Sequence, residues 1–312
     1  MGLRFVPYHE KYDASIQVLE QAAIQGKSIQ LEIIKEHFLS RAAVYKKIYP
    51  CLGITDEDKV IATAIGAQTD LIINGHYDSD IGVCFDVKVH PLYRKKGIGK
   101  MMAKHIYKTF FATEGLIRNF ITLKLSNIPV IRLVKAFRSI SLYDFVYLTI
   151  PVTSRVPEPV ALQGKKQLLS VSLFHSEDLS PSYYSDLPCG LAYFHTYQMY
   201  RLKIRHVHPL FKLGLRILKK VQPQKYAYLP GEEDILEFAT LYNHTAKTIP
   251  YINEVLEQLE RNNIHYLLVC CRKNDVIYQA LKRQSINTYG YYIMADFTLK
   301  KEDEITIDVR CL

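Results

Sequence analysis

The segment from Val87 to Met102 constrains the fold more than any other part of the sequence. It reads Val-Lys-Val-His-Pro-Leu-Tyr-Arg-Lys-Lys-Gly-Ile-Gly-Lys-Met-Met, which is a strand-like start followed by a basic stretch with two glycines. From Ile98 onward, through Met102 to Ile106, apolar residues recur at helical spacing. The pattern predicts a strand, a tight glycine-bearing turn and the first turns of an amphipathic helix.

Such a turn suits a pyrophosphate group. A helix N-terminus presents unpaired N–H groups and the positive end of the helix dipole. Gly97 and Gly99 let a phosphate approach the backbone closely, and flanking cations add charge complementarity. A Rossmann site would need a third glycine where Met102 stands, and a Walker site would need a longer loop ending in Gly-Lys-Ser/Thr. The alternative is an ordinary basic turn that caps a helix.

The first half of the chain has the element order of a mixed α/β domain. Residues 3–7 form a predicted strand, and residues 31–43 a helix that follows an earlier one. Antiparallel strands are predicted between residues 51 and 90. After the helix that begins near Gly97, residues 120–150 are predicted to form strand, helix and strand.

The second half repeats part of this order. Residues 151–168 hold several prolines and suit a linker, so we predict one domain over residues 1–156 and another over 157–312. Residues 232–242 are predicted as a helix. Residues 266–299 are predicted as strand, helix and strand, like the end of the first half.

The formal net charge of +9 is compatible with a nucleic acid, an acidic membrane surface or a small polyanion. The positive charge concentrates near residues 94–104 and again over residues 212–225, where a solvated surface is the simplest interpretation. No motif typical of nucleic-acid readers accompanies it. We therefore expect no nucleic-acid partner.

Neither a secretory signal nor a run of about 18 apolar residues is found, so the sequence predicts a cytoplasmic protein without a membrane partner. The six cysteines include no Cys-x-x-Cys pair. That spacing favours buried, reduced thiols, and we expect no metal site.

Val87 to Met102 resembles motif A of the GNAT family of N-acetyltransferases. Its strand, Pro91, Tyr93, the arginine and both glycines all stand in the family's order. The resemblance extends over most of residues 3–150. It implies the GNAT fold, a mixed and mostly antiparallel sheet flanked by helices, and acetyl-CoA as co-substrate.

The resemblance also implies particular cofactor contacts. In this family the strand before the loop splays from its neighbour and its backbone pairs with pantetheine, which points to Val87, Lys88 and Val89. Asn127 stands where the family often places an asparagine near coenzyme A, although a plain helix N-cap is an equally good interpretation. The residues implied at the pyrophosphate are Arg94, Lys95, Lys96, Gly97, Ile98, Gly99 and Lys100.

Catalysis would require the acceptor amine to lose a proton and the thiolate to be stabilised or protonated. Asp86 is the candidate base, with a structural carboxylate as the alternative. Many family members place a tyrosine general acid seven residues after the asparagine, but Val134 stands there in this chain. Tyr143 is the candidate to replace it.

Residues 274–281 and the strand after them resemble the family's later strand–helix–strand segment, so residues 157–312 are predicted to form a second, degenerate GNAT-like domain or a substrate or interface domain. Val207-His208-Pro209 repeats the start of the motif without its glycines. Residues 126–152 resemble the plant Hookless-type acetyltransferases and their bacterial counterparts.

Two functions follow from the resemblance. The first is an N-acyltransferase that moves an acetyl or short acyl group from acetyl-CoA to a primary amine, on a small molecule or a protein, by direct attack on the thioester. The alternative is an acyl-CoA-binding module with little or no catalysis that acts through its second domain. A homodimer is compatible with either function.

Overall fold

The first half of the chain contains seven strands and three α-helices among the described residues. The computed structural model describes residues 2–26, 28–136, 140–157, 166–228 and 231–312. The elements of this half are β1 (Leu3–Pro7), α1 (Asp13–Ala22), β2 (Ile29–Ile34), β3 (Ile48–Thr55), β4 (Val60–Ile73), β5 (His76–Val89), α2 (Ile98–Ile106), β6 (Arg118–Lys124), α3 (Ile128–Lys135) and β7 (Ser141–Pro151).

The second half adds nine strands and four α-helices within the described ranges, several of them short. They are β8 (Leu169–Ser172), β9 (Tyr184–Asp186), β10 (Ala192–Phe194), α4 (Thr196–Met199), β11 (Arg201–Val207), α5 (Pro209–Val221), β12 (Ile235–Leu236), β13 (Phe238–Tyr242), α6 (Ile252–Arg261), β14 (Tyr266–Cys271), α7 (Val276–Leu281), β15 (Asn287–Ala295) and β16 (Ile305–Asp308).

One large sheet runs through both halves. Among the described strands, thirteen join it, and its main path runs β1-β3-β4-β5-β6-β15-β7-β14-β13-β10-β9. Most neighbours are antiparallel, but β5 pairs with β6, β13 with β14 and β16 with β8 in parallel. A smaller sheet has the order β12-β11-β2. The predicted fold class, a mixed and mostly antiparallel sheet flanked by helices, is confirmed.

The two halves exchange strands at the centre of the large sheet. Strand β15, from the second half, lies between β6 and β7 and pairs with both. Strand β7, from the first half, pairs in turn with β14. Each half also has the order strand, helix, strand, helix, strand, as β5-α2-β6-α3-β7 and as β13-α6-β14-α7-β15. The second half therefore repeats this five-element unit of the first.

The boundary at residues 156 and 157 remains a prediction. It falls shortly after β7, and part of the proposed linker, residues 158–165, lies outside the described residues.

Helix α2 packs with the face that its sequence period indicates. Ile98, Met102 and Ile106 are buried against a cluster that includes Cys51 and Ile61 from β3 and β4. Burial of this apolar face fixes the helix on the sheet, and its N-terminus consequently stays next to the end of β5.

Two of the predicted helices are wrong. Residues 31–43 contain the end of β2 followed by turns, because β2 pairs with β11 of the second half. Residues 232–242 contain β12 and β13, and all five residues of β13 are buried. A fully buried strand lacks the alternation of apolar and polar residues, so its apolar run is hard to tell from a helix by sequence alone.

Candidate functional site

Strands β5 and β6 separate partway along their length. Their parallel pairing covers only Ile81–Val83 and Arg118–Phe120, and β6 then continues beside β15. Strand β5 runs on to Val89 with β4 on its other side. The edge of β5 that faces away from β4 is therefore not paired by β6 beyond Val83.

The backbone of Val87 and Val89 is directed toward this open edge. The His90 N–H donates to the Ile61 oxygen of β4 at 2.9 Å, and successive residues of a strand alternate in direction. The Val89 oxygen accepts a 3.0 Å hydrogen bond from Arg94 Nε rather than one from β4. Lys88, between the two valines, has its side chain buried beside Glu20. An extended amide-bearing ligand could thus pair with the open edge as an added strand.

The turn after β5 reverses the chain through left-handed residues. Lys95 has φ 63° and Gly97 has φ 76°, a region that costs an L-residue with a side chain about 1 kcal/mol or more. Gly97 is the N-cap of α2, and the first helical bond is the Met101 N–H donating to the Gly97 oxygen at 3.0 Å. Gly99 lies before Met101 in the first turn of α2, so its N–H has no hydrogen-bond partner within the helix.

Gly99 lies where α2 meets α3 and β5. A methyl group at this position would contact Leu133 of α3 at 3.4 Å and Val89 at 4.0 Å, both ordinary van der Waals distances. Alanine would therefore fit, whereas a longer side chain would compete with Leu133 for space. The N-terminus of α2 therefore lies at the C-terminal end of β5, which is also the part of β5 that has the open edge.

Cations surround the turn, and most are exposed. The side chain of Arg94 folds back onto β5, and Lys96 Nζ lies 5.1 Å from the ring centre of Tyr93. His90 Nδ1 accepts from the Leu92 N–H, and burial, followed by nearby cations, lowers the pKa of His90. The exposed cations of the turn and of the first turn of α2 are Arg94, Lys95, Lys96 and Lys100.

Asn127 is exposed and is the N-cap of α3. Its side chain makes no capping hydrogen bond, while its backbone oxygen accepts from the Ile131 N–H at 3.1 Å. Asn127 thus occupies the N-cap position, as the alternative interpretation expects, but its side chain does not cap the helix. Because α3 follows β6, Asn127 lies at the same end of the parallel pair as the turn after β5.

Asp86 occupies a bulge in β5 and belongs to a buried ion cluster. Its φ is 51°, and its side chain is 4% exposed. Lys35 Nζ lies 3.0 Å from Asp86 Oδ2 and 2.9 Å from Glu20 Oε1, and Arg41 Nη1 lies 3.6 Å from Asp86 Oδ1. Asp86 directly precedes Val87, whose backbone faces the open edge of β5.

The charges of this cluster determine the protonation of Asp86. Burial by itself would raise the pKa of Asp86, but Lys35, Arg41 and Lys88 outweigh it and lower the pKa to about 2. A carboxylate with so low a pKa is a weak base. The role of Asp86 as general base remains a prediction, and its surroundings weigh against it.

Tyr143 is fully buried in β7. Its hydroxyl donates to the backbone oxygens of Leu168 at 2.9 Å and Asp303 at 3.1 Å, and the Arg272 guanidinium lies over its ring. Burial raises the pKa of Tyr143. Its role as general acid also remains a prediction, and these contacts are those of a structural tyrosine.

A cavity of about 250 Å³ adjoins the ion cluster. Lys35 and Tyr200 form part of its wall, together with Glu36, Gln198 and Glu237. The Arg41 guanidinium lies 5.5 Å from the ring centre of Tyr200. Arg41 thus contacts both Tyr200 of the cavity wall and Asp86. Sequence patterns do not predict this cavity, because its wall combines residues from both halves of the chain.

The corresponding strand–helix junction of the second half, which is fully described, has no equivalent turn. The segment between β13 and α6, residues 243–251, contains no glycine. His244 lies there fully buried, and burial lowers its pKa to about 4, so it is neutral. The repeat of the motif at residues 207–209 lies instead between β11 and α5, away from the strand–helix unit that corresponds to β5 and α2.

One group of ligand-type side chains lies elsewhere among the described residues. His175, Glu177 and Asp178 have ligand atoms within 4.8 Å of one another. Lys46 Nζ lies 2.7 Å from Asp178 Oδ2, and Asp70 Oδ2 lies 3.2 Å from His175 Nε2. Two of the three side chains therefore have charged partners within the protein. The group gives no indication of a cofactor site.

Comparison with protein families gives one match, to the acetyltransferase (GNAT) family over residues 24–137, less than half of the chain. This range contains β5, the glycine turn, α2, β6 and α3. Over residues 24–137 the chain matches the model of a GNAT-family domain. The resemblance predicted from the turn is thereby confirmed. Comparison with curated proteins finds no match.

Solved structures with this fold include one that matches almost the whole chain. Saccharomyces cerevisiae N-myristoyltransferase with bound myristoyl-CoA is 10% identical, and the match covers 97% of this chain and 84% of that chain with a TM-score of 0.55. The ribosomal-protein-S18-alanine N-acetyltransferase of Escherichia coli is 13% identical over 46% of this chain and 81% of its own, with a TM-score of 0.34. The first of these extends the fold likeness beyond the GNAT-family domain into the second half.

The residues that the structure describes include no helix both long and apolar enough to span a bilayer.

Proposed function

We propose that the protein is an N-acyltransferase that takes an acyl group, acetyl in the simplest case, from acyl-CoA and transfers it to a primary amine. One observation carries the proposal: the open edge of β5 and the N-terminus of α2 lie at the same end of the sheet. An extended pantetheine arm can pair with the open edge of β5 while the pyrophosphate binds at the N-terminus of α2.

Each part of the site has a role in holding the co-substrate. The backbone of Val87 and Val89 supplies donors and acceptors for the pantetheine amides. The N–H groups at the start of α2, around Gly99, together with Arg94 and its neighbouring lysines, balance the charge of the pyrophosphate. Asn127, at the start of α3, is proposed as a further contact.

The reaction then needs little more than correct positioning. The amine nitrogen attacks the thioester carbonyl carbon, a C–N bond forms, the C–S bond breaks, and the sulfur leaves with the electron pair of that bond. The nitrogen gives its proton to water, and the thiolate takes one from water. Holding amine and thioester together contributes a large part of the rate gain without a dedicated acid or base. Neither proton transfer is assigned to Asp86 or Tyr143.

The acceptor is proposed to arrive through the cavity beside Lys35. The cavity adjoins the ion cluster of Asp86, which directly precedes Val87 in the bulged strand. Its wall carries both acidic and basic groups, which suits a polar amine. Gln198 is exposed on this wall, so a larger side chain there would narrow the cavity without touching the glycine turn.

An assay of thiol release from acetyl-CoA with a panel of primary amines tests the proposal. We expect amine-dependent release by the natural protein. In Gln198→Trp we expect a higher KM for the amine and an unchanged affinity for acetyl-CoA. If the protein binds acetyl-CoA but releases no thiol with any amine, it is not the transferase proposed.

The alternative, an acyl-CoA-binding module with little catalysis, has one specific observation in its favour. Both candidate proton-transfer groups are engaged elsewhere, Asp86 with Lys35 and Tyr143 with backbone oxygens. Binding without turnover in the assay above would favour this function.

A further inference from the structure

Helix α5 presents an apolar stripe to solvent. No residue of this 13-residue helix is buried. Leu210, Leu213, Ile217 and Val221 follow the spacing i, i+3, i+7 and i+11, which places them along one side of a helix. Their side chains are 76%, 57%, 55% and 68% exposed. The helix is therefore strongly amphipathic with its apolar side turned outward.

The stripe differs from the scattered apolar residues that any surface carries. Phe211 and Leu218, 41% and 39% exposed, widen it on one side. The residues of α5 that are partly covered by the protein are Lys212, Gly214 and Leu215. A contiguous exposed apolar patch rimmed by polar residues typically marks an interaction surface.

The remaining sides of the helix are cationic. Residues 209–228 contain no aspartate or glutamate. One of the cations, Lys212, pairs with Glu232 at 2.9 Å, outside this range. The cations of the segment are Lys212, Arg216, Lys219, Lys220 and Lys225. Apolar and cationic faces thus lie side by side on one exposed helix.

We propose that α5 docks the protein on an anionic lipid surface, lying in the plane of the headgroups. Such a surface accepts both faces at once, because the apolar stripe enters the acyl boundary while lysine and arginine meet anionic headgroups. A second copy of the chain would bring two sets of like charges together, which opposes pairing through this face.

The proposal goes beyond the acyltransferase function and does not depend on it. It also revises the sequence-based expectation of no membrane partner. That expectation considered only segments long enough to span a bilayer, whereas an interfacial helix needs neither that length nor burial on all sides.

Flotation with vesicles tests the proposal. The natural protein is mixed with vesicles of phosphatidylcholine alone or of phosphatidylcholine with phosphatidylserine. We expect it to float only with the anionic vesicles. Leu213→Gln with Ile217→Gln removes apolar area and keeps every charge, and should weaken binding about tenfold or more. Lys219→Gln with Lys220→Gln should weaken it roughly fivefold per charge.

Matched controls separate this helix from general properties of a basic protein. Ile117→Gln changes another exposed apolar residue, 72% exposed, and Lys301→Gln another exposed lysine. Both should float like the natural protein. Circular dichroism of every variant reports whether it is folded.

Three outcomes would overturn the proposal. The first is equal flotation of the Leu213→Gln, Ile217→Gln variant, since charge alone would then explain binding. The second is absence of flotation with a dimer in sedimentation that this same variant dissociates, which would make a second copy the occupant. The third is absence of both flotation and self-association.

Discussion

Lys35 Nζ lies 3.0 Å from Asp86 Oδ2, and both side chains are almost completely buried. The pair joins the end of β2 to the bulge of β5, directly before the backbone proposed to hold pantetheine. Arg41 approaches the same carboxylate at 3.6 Å. Asp86 therefore acts in this structure as the shared partner of two cations, the buried Lys35 and the mostly covered Arg41.

Replacing Asp86 by asparagine should cost stability more than chemistry. Asparagine tolerates the left-handed backbone at φ 51°, so Asp86→Asn removes the charge without adding backbone strain. Lys35 and Arg41 would lose their shared partner, and the free energy of unfolding should fall by roughly 3 kcal/mol. Denaturant unfolding measures this. A rate loss of about a hundredfold with unchanged stability would instead identify Asp86 as the base.

Stability should fall in acid through the same carboxylate. The pKa of Asp86 is about 2 in the folded protein and about 3.9 in an unfolded chain. Its stabilising contribution is therefore complete above the unfolded value and is lost as the pH falls from about 4 toward 2. The free energy of unfolding, followed over this range, should decrease by about 2 kcal/mol more in the natural protein than in Asp86→Asn. Parallel curves would contradict the ion-pair assignment.

Tyr143→Phe should behave as a structural substitution. The variant loses the hydrogen bonds to the Leu168 and Asp303 backbone oxygens, which should lower the free energy of unfolding by about 1–2 kcal/mol. Turnover with acetyl-CoA and a reactive amine should change less than about threefold. A fall in kcat of about a hundredfold in a stably folded variant would show that the hydroxyl takes part in the reaction.

Arg94→Gln should weaken acyl-CoA binding about tenfold, because a charged donor next to the pyrophosphate is lost. The difference between the two proteins should shrink as salt is added, since Arg94 is exposed. Lys108→Gln removes an exposed charge at the far end of the same helical segment and serves as the control. Equal affinities of the Arg94→Gln and natural proteins at low salt would remove Arg94 from the site.

The sequence predicted the features of this fold that are local. The glycine turn and α2 depend on neighbouring residues, so Gly97 and the helical period were sufficient to locate them. The wrong predictions concern residues with distant partners. Strand β2 forms because it pairs with β11. The charge of the Asp86 carboxylate is balanced by Lys35, which is 51 residues away in the sequence. Sequence spacing does not reveal such pairings, nor the exchange of β7 and β15 between the halves.

Calorimetric titration of acetyl-CoA into the natural protein, Gly99→Glu and Gly99→Ala tests the central claim most directly. The alanine methyl group meets Leu133 at an ordinary 3.4 Å, so this variant should bind like the natural protein. The glutamate would place a negative charge at the N-terminus of α2, where the pyrophosphate should lie, and should abolish binding. Failure of the natural protein to bind, or equal binding by Gly99→Glu, would contradict the assignment of the acyl-CoA site.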